Sequence, residues 1–91
     1  MTGTAGNDTL NGTNGADVIC GLGGNDTLNG ANSNDTIYAG SGNDTVDGGN
    51  SNDTLYGGVG DDVMGGGNGD DHIYGGLGND DLDGRTATTS S

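Results

Sequence analysis

Gly57-Gly58-Val59-Gly60-Asp61-Asp62-Val63-Met64-Gly65 runs directly into Gly66-Gly67-Asn68-Gly69-Asp70-Asp71-His72-Ile73-Tyr74, and the two stretches are copies of one nine-residue unit. Working outward, the same unit lies without insertion over Gly3 to Asp83, nine copies in all. Its sixth position is Asp in every copy: Asp8, Asp17, Asp26, Asp35, Asp44, Asp53, Asp62, Asp71 and Asp80. Its eighth is always aliphatic or Met: Leu10, Ile19, Leu28, Ile37, Val46, Leu55, Met64, Ile73 and Leu82. Its fourth is Gly except for Ser33 and Ser51. The early copies are the less regular, since their second position reads Thr4, Thr13, Leu22 and Ala31 where later copies have Gly; repeat two has Ala16 at position five, and repeat five opens on Ala39.

Within each unit the first six residues are turn formers and the last three suit a short strand. Glycine in the turn permits φ > 0 and close backbone approach. Stretches such as Asn52-Asp53-Thr54-Leu55-Tyr56 alternate polar and apolar side chains, as a strand with one buried face does. No helical period occurs. A loop and a strand turn the chain by half a revolution, so two units should make one coil of 18 residues. Position nine supplies an independent check: Tyr38, Tyr56 and Tyr74 recur at a spacing of 18, with Cys20 in the same alternate series, and Asn11, Asn29, Asp47, Gly65 and Asp83 fill the intervening copies. Alternate repeats therefore belong on two different sheets. The spacing predicts an all-β solenoid with two short-stranded parallel sheets and a thin aliphatic core. The repeat domain is expected over 3–84, with 85–91 a disordered tail; Met1-Thr2 is read as too short to cap an end.

The pattern G-G-x-G-x-D-x-U-x resembles the calcium-binding nonapeptide of the repeat-in-toxin (RTX) family. The resemblance covers nearly the whole chain. It implies a parallel β-roll, coiling right-handed as parallel crossovers do. It also implies that loop carbonyls complete each calcium shell beside the sixth-position Asp. By match to the motif these are the carbonyls of Gly40, Gly42, Gly49, Gly58, Gly60, Gly67 and Gly69, whereas Ser33 and Ser51 depart from it between repeats four and six. Such rolls work outside the cell, often joined to secreted proteases, lipases or toxins.

The chemistry of the Asp columns agrees. Stacked strands lie about 4.7–4.9 Å apart, so the roll would bring Asp8, Asp26, Asp44, Asp62 and Asp80 into one file and Asp17, Asp35, Asp53 and Asp71 into another. Like charges at that spacing repel unless cations lie between them. Carboxylates with backbone carbonyls suit Ca²⁺, which takes six to eight oxygens at about 2.3–2.6 Å; Mg²⁺ demands a tighter octahedron. Zinc is disfavoured with only Cys20 and His72 as softer ligands. Sharing each ion between repeats i and i+2 gives about seven Ca²⁺.

Composition narrows the function further. The formal charge is −13, all from Asp, with Arg85 the one basic residue. Such a surface repels nucleic acid and anionic membranes and attracts cations. With an apolar fraction of 26% and 23 glycines, the composition alone is that of a disordered chain. A calcium-dependent fold is the natural resolution. A secreted, extracellular location is expected, and with no apolar run of signal-peptide length, export would use a signal outside these residues or an unusual route. Open strand edges at the ends of the stack predict end-to-end self-association.

Nothing catalytic is legible. His72, the single histidine, stands in a variable outward position, which argues against a Ser/His/Asp arrangement. Cys20 reads as an exposed free thiol, and the Tyr file as a structural ladder. Two other functions stay open. Thr9, Thr27 and Thr45 in register would suit an ice-binding or adhesive face on a calcium-rigidified solenoid. Alternatively, the chain is the non-catalytic repeat segment of a secreted enzyme or toxin.

Overall fold

A computed structural model describes residues 1–83 and 88–90. Ten three-residue strands are present: β1 (Thr9–Asn11), β2 (Val18–Cys20), β3 (Thr27–Asn29), β4 (Thr36–Tyr38), β5 (Thr45–Asp47), β6 (Thr54–Tyr56), β7 (Val63–Gly65), β8 (His72–Tyr74), β9 (Asp81–Asp83) and β10 (Thr88–Ser90). No helix occurs among the described residues. Odd strands form one parallel sheet, β1-β3-β5-β7-β9, and even strands the other, β10-β8-β6-β4-β2. The chain is a β-solenoid with 18 residues per coil, since Leu10 pairs with Leu28, Leu28 with Val46 and Ile37 with Leu55.

Position eight drives this arrangement. A three-residue strand has one central side chain on its inner face, and in each repeat that residue is the aliphatic one. Ile19, Leu28, Ile37, Val46, Leu55, Met64 and Ile73 are at most 2% exposed, with Leu10 and Leu82 packing partly buried at the ends. Ala39 is buried beside them. The ladder extends beyond the strands into the loops. The position-seven amide donates to the Asp carbonyl one coil below, as in Thr45 to Asp26 at 2.8 Å and Thr54 to Asp35 at 2.9 Å. Consequently the sixth-position Asp residues from Asp8 to Asp62 are fixed in register by main-chain bonds before their carboxylates are considered.

The outer faces differ. On the even sheet Tyr38, Tyr56 and Tyr74 stack with ring centroids 4.9 and 5.1 Å apart and planes within 5° and 11° of parallel. On the odd sheet Thr9, Thr27 and Thr45 stand in register, followed by Val63 and Asp81. The expected placement of these two files is therefore observed.

Terminal residues also join the sheets. Met1 and Thr2 lie along the edge of β2: the N-terminal amine donates to Val18 O at 2.8 Å, Cys20 N donates to Met1 O at 2.9 Å, and Thr2 bridges Cys20. Two residues suffice because parallel main-chain pairing needs no particular side chain. Of the segment 85–91, read as a disordered tail, Thr88–Ser90 pairs in parallel with β8 as β10; 84–87 and 91 lie outside the described residues.

Candidate metal centre

Each loop ends on its sixth-position Asp, which enters the following strand and turns its side chain under the loop. Six of these carboxylates, Asp26, Asp35, Asp44, Asp53, Asp62 and Asp71, are no more than 2% exposed. Asp8, Asp17 and Asp80 are partly buried. The two expected files exist, and a repeating hydrogen bond connects their members. The amide of one Asp donates to Oδ1 of the Asp one coil on: Asp8 to Asp26, Asp26 to Asp44 and Asp44 to Asp62 at 2.8, 2.8 and 2.9 Å. The other file repeats this from Asp17 to Asp35, Asp35 to Asp53 and Asp53 to Asp71 at 2.8, 2.8 and 2.7 Å.

Only one carboxylate oxygen is used in this way. Oδ2 of Asp26, Asp35, Asp44, Asp53, Asp62, Asp71 and Asp80 is buried with no hydrogen-bond partner. A buried, unpartnered charged oxygen costs several kcal/mol, and here that situation recurs in seven loops. Position-one glycine leaves room for it. A Cβ on Gly48 would lie 2.8 Å from Asp53 Oδ2 and 2.9 Å from Gly66 O, and on Gly57 it would lie 2.7 Å from Asp62 Oδ2 and 2.6 Å from Gly75 O. The carboxylate oxygen and a carbonyl of the next coil thus lie over the same α-carbon.

Burial dominates the electrostatics. It pushes the Asp44 and Asp53 carboxyls up to about 7 and Asp62 to about 6, against the amides from Asp26, Asp35 and Asp44 respectively, which pull down. Neighbouring carboxylates raise them further: Asp62 and Asp26 act on Asp44, while Asp71, Asp35 and Asp47 act on Asp53. Asp35 and Asp71 are raised for the same first reason, burial. A divalent cation at these oxygens would favour the ionised carboxylates and so oppose both the burial and the mutual repulsion.

Five of the seven loop carbonyls singled out by sequence are also brought close to the next coil. Those of Gly40, Gly42, Gly49, Gly58 and Gly60 each point at the α-carbon of the glycine one coil on, namely Gly58, Gly60, Gly67, Gly76 and Gly78. The α-carbons of Gly67 and Gly69 face the carbonyls of Gly49 and Ser51 one coil below. Two of these oxygens also accept amides, Gly49 O from Asn68 at 3.0 Å and Gly58 O from Leu77 at 3.1 Å. Ser33 and Ser51, which break the motif, keep the left-handed backbone at φ 72° and 76°, and Asp35 and Asp53 in those same loops retain the partnerless Oδ2.

Among the described residues no three His, Cys, Asp or Glu side chains gather at one point. An ion held here would take most of its ligands from backbone oxygen, which suits a hard cation such as Ca²⁺ and not Zn²⁺. The residues therefore fit the group that the repeat pattern implies. No cleft opens among the described residues. His72 is exposed and Cys20 is a half-buried free thiol.

A parallel solenoid carrying two files of buried carboxylates is a repeat module built around its loops. The chain belongs to the RTX calcium-binding nonapeptide repeat family, whose four-copy model matches residues 1–28, 29–64 and 56–86. That family is a non-catalytic repeat module. Comparison with curated proteins and with solved structures gave no match.

Proposed function

We propose that the chain is a calcium-binding β-roll which folds and becomes rigid when it binds Ca²⁺ outside the cell. The observation that carries this reading is the series of buried Oδ2 atoms with no partner. Oxygens in that state favour either protons or cations, and at neutral pH in millimolar calcium the cation prevails. The ligands are the sixth-position carboxylates whose Oδ2 has no partner, from Asp26 to Asp80, with the loop carbonyls of Gly40, Gly42, Gly49, Gly58, Gly60, Gly67 and Gly69, and about seven ions are bound. Each ion that binds only the folded state adds RT ln(1 + [Ca²⁺]/Kd), about 1.4 kcal/mol at ten times Kd, so seven contribute roughly 10 kcal/mol. That is the scale of an ordinary domain's entire stability. Affinities like those of extracellular modules, about 10⁻⁴–10⁻³ M, would leave the chain unfolded at cytosolic calcium and folded outside.

The ions would rigidify the loops, while the core residues Ile19 to Ile73 hold the two sheets together. The charge of −13 makes nucleic acid and anionic membranes poor partners. Equilibrium dialysis against calcium, with a parallel run in magnesium, tests the reading. Saturable uptake of several Ca²⁺ per chain with weak Mg²⁺ competition is expected. Uptake of none, or equal uptake of both metals, would refute it.

A further inference from the structure

The nine loops fall into two kinds, and the division lies between the second and the third. In loops three to nine the residues at positions two and four both have left-handed backbone, from Leu22 (φ 67°) and Gly24 (φ 81°) to Gly76 (φ 80°) and Gly78 (φ 103°). None of Thr4, Gly6, Thr13 and Gly15, at the same positions of the first two loops, adopts it. The change re-aims one amide. Thr4 N donates to Asp8 Oδ2 at 2.6 Å and Thr13 N to Asp17 Oδ2 at 2.7 Å. The hydroxyl of each Thr lies 3.1 Å from both oxygens of the same carboxylate. It also accepts the amide of Gly6 or Gly15, at 3.1 and 3.2 Å, which holds the turn shut.

In two loops of the other kind the equivalent amide is seen to turn away. Ala31 N donates to Asn29 Oδ1 and Gly49 N to Asp47 Oδ1, both at 3.0 Å. The carboxylates of those loops, Asp35 and Asp53, are left with a partnerless Oδ2. The correspondence is complete: the seven left-handed loops are the seven with an orphaned oxygen, and the two Thr loops have none.

We infer that Thr4 and Thr13 seal the first coil against metal, so that Asp8 and Asp17 are not calcium ligands and loading begins at Asp26 and Asp35. This inference rests on the calcium reading and refines it. An amide and a hydroxyl supply to Asp8 and Asp17 the donors that an ion would otherwise replace, and the oxygen an ion would need is already taken. The sealed coil still serves the stack, because its Asp8 and Asp17 amides bond to Oδ1 of Asp26 and Asp35. It is a metal-free floor beneath the metal-bearing loops. Position two acts as the selector: Thr closes a loop onto its own carboxylate, whereas Gly, Leu or Ala there leaves the carboxylate open.

Calcium stoichiometry of the full chain by native mass spectrometry tests this, with circular dichroism in calcium confirming that each variant folds. Asp8→Asn and Asp17→Asn are expected to bind as many ions as the unsubstituted chain, while Asp44→Asn binds at least one fewer. The double variant Thr4→Gly/Thr13→Gly, freed to take the left-handed turn, is expected to gain one or two ions. Loss of an ion from Asp8→Asn or Asp17→Asn would overturn the inference whatever the double variant does. A folded double variant with no added ion would overturn it too. An unsubstituted chain that takes up no calcium would defeat the calcium reading itself, and this inference with it; the other two failures would leave that reading standing.

Discussion

Replacing Asp44 with Asn should act in opposite directions with and without calcium. Asp44 sits between Asp26 and Asp62, is 1% exposed, accepts the Asp26 amide on Oδ1 and has no partner on Oδ2. Asn is nearly isosteric, keeps an Oδ1 for the Asp26 amide and removes the charge. Without calcium the carboxylate is a liability, since burial and its two neighbours push it from 3.8 to about 7. At about 1.4 kcal/mol per tenfold this displacement has a ceiling of about 4 kcal/mol. Screening by water and salt reduces it, leaving about 1–2 kcal/mol. In EDTA, therefore, Asp44→Asn should make folding easier. With calcium at ten times Kd, each lost ion removes about 1.4 kcal/mol, and sharing between coils makes the loss about 1.4–2.8 kcal/mol. The assay is far-UV circular dichroism in two series. One titrates an excluded osmolyte, which favours the compact state, in EDTA; the other titrates calcium. The variant should fold at lower osmolyte and at higher calcium than the unsubstituted chain. A higher osmolyte midpoint would refute the idea that the buried carboxylate destabilises the metal-free fold, and an unchanged calcium midpoint would remove Asp44 from the ligand set.

Three further outcomes follow from the same geometry. Unfolded Asp titrates near 3.8, whereas folded Asp44 and Asp53 titrate near 7 and Asp62 near 6. The metal-free fold therefore binds more protons than the unfolded chain across that window, and its stability falls as pH rises from about 4 to 7. In EDTA the β signal should be stronger at pH 5 than at pH 8, while in calcium the order reverses because protons compete for the ligand oxygens; an EDTA signal that grows with pH would contradict this. Leu55→Ala, at a fully buried site, should cost about 2–5 kcal/mol in calcium and Leu10→Ala, on the partly buried first strand, distinctly less; equal losses in urea titrations would mean the core is not graded along the stack. Finally, among the described residues β1 and β9 are the outer strands of one sheet, and open strand edges template pairing. Light scattering in calcium should show mass rising with concentration, and a constant monomer mass would show that the ends do not pair.

The fold was legible because side-chain type repeats with the coil. The unbroken Asp and aliphatic columns give the loop and the buried position, and the Tyr38, Tyr56, Tyr74 spacing separates the two sheets. These depend on side chains alone, so one sequence is enough. The oxygen accounting at the site depends on main-chain direction, which the letters do not show. Asp8 and Asp17 stand in the same column as Asp44, yet the Thr4 and Thr13 amides occupy their Oδ2. The irregular second column was visible, but its consequence required knowing where one amide points. Ser33 and Ser51 mislead in the other direction: they break the Gly pattern, yet their loops keep the left-handed turn. Stacking in register between neighbouring coils holds a conformation that non-Gly residues adopt at a cost of about 1–2 kcal/mol. Met1 and Thr2 pair with β2 through backbone alone, which no residue type announces.

Calcium as the folding trigger is tested most directly by far-UV circular dichroism at neutral pH, in EDTA and then through a calcium titration. The expected result is a disordered spectrum in EDTA that converts to β in a steep, saturating transition, steeper than independent sites allow because neighbouring coils share loops. A β spectrum already complete in EDTA and unchanged by calcium would contradict it.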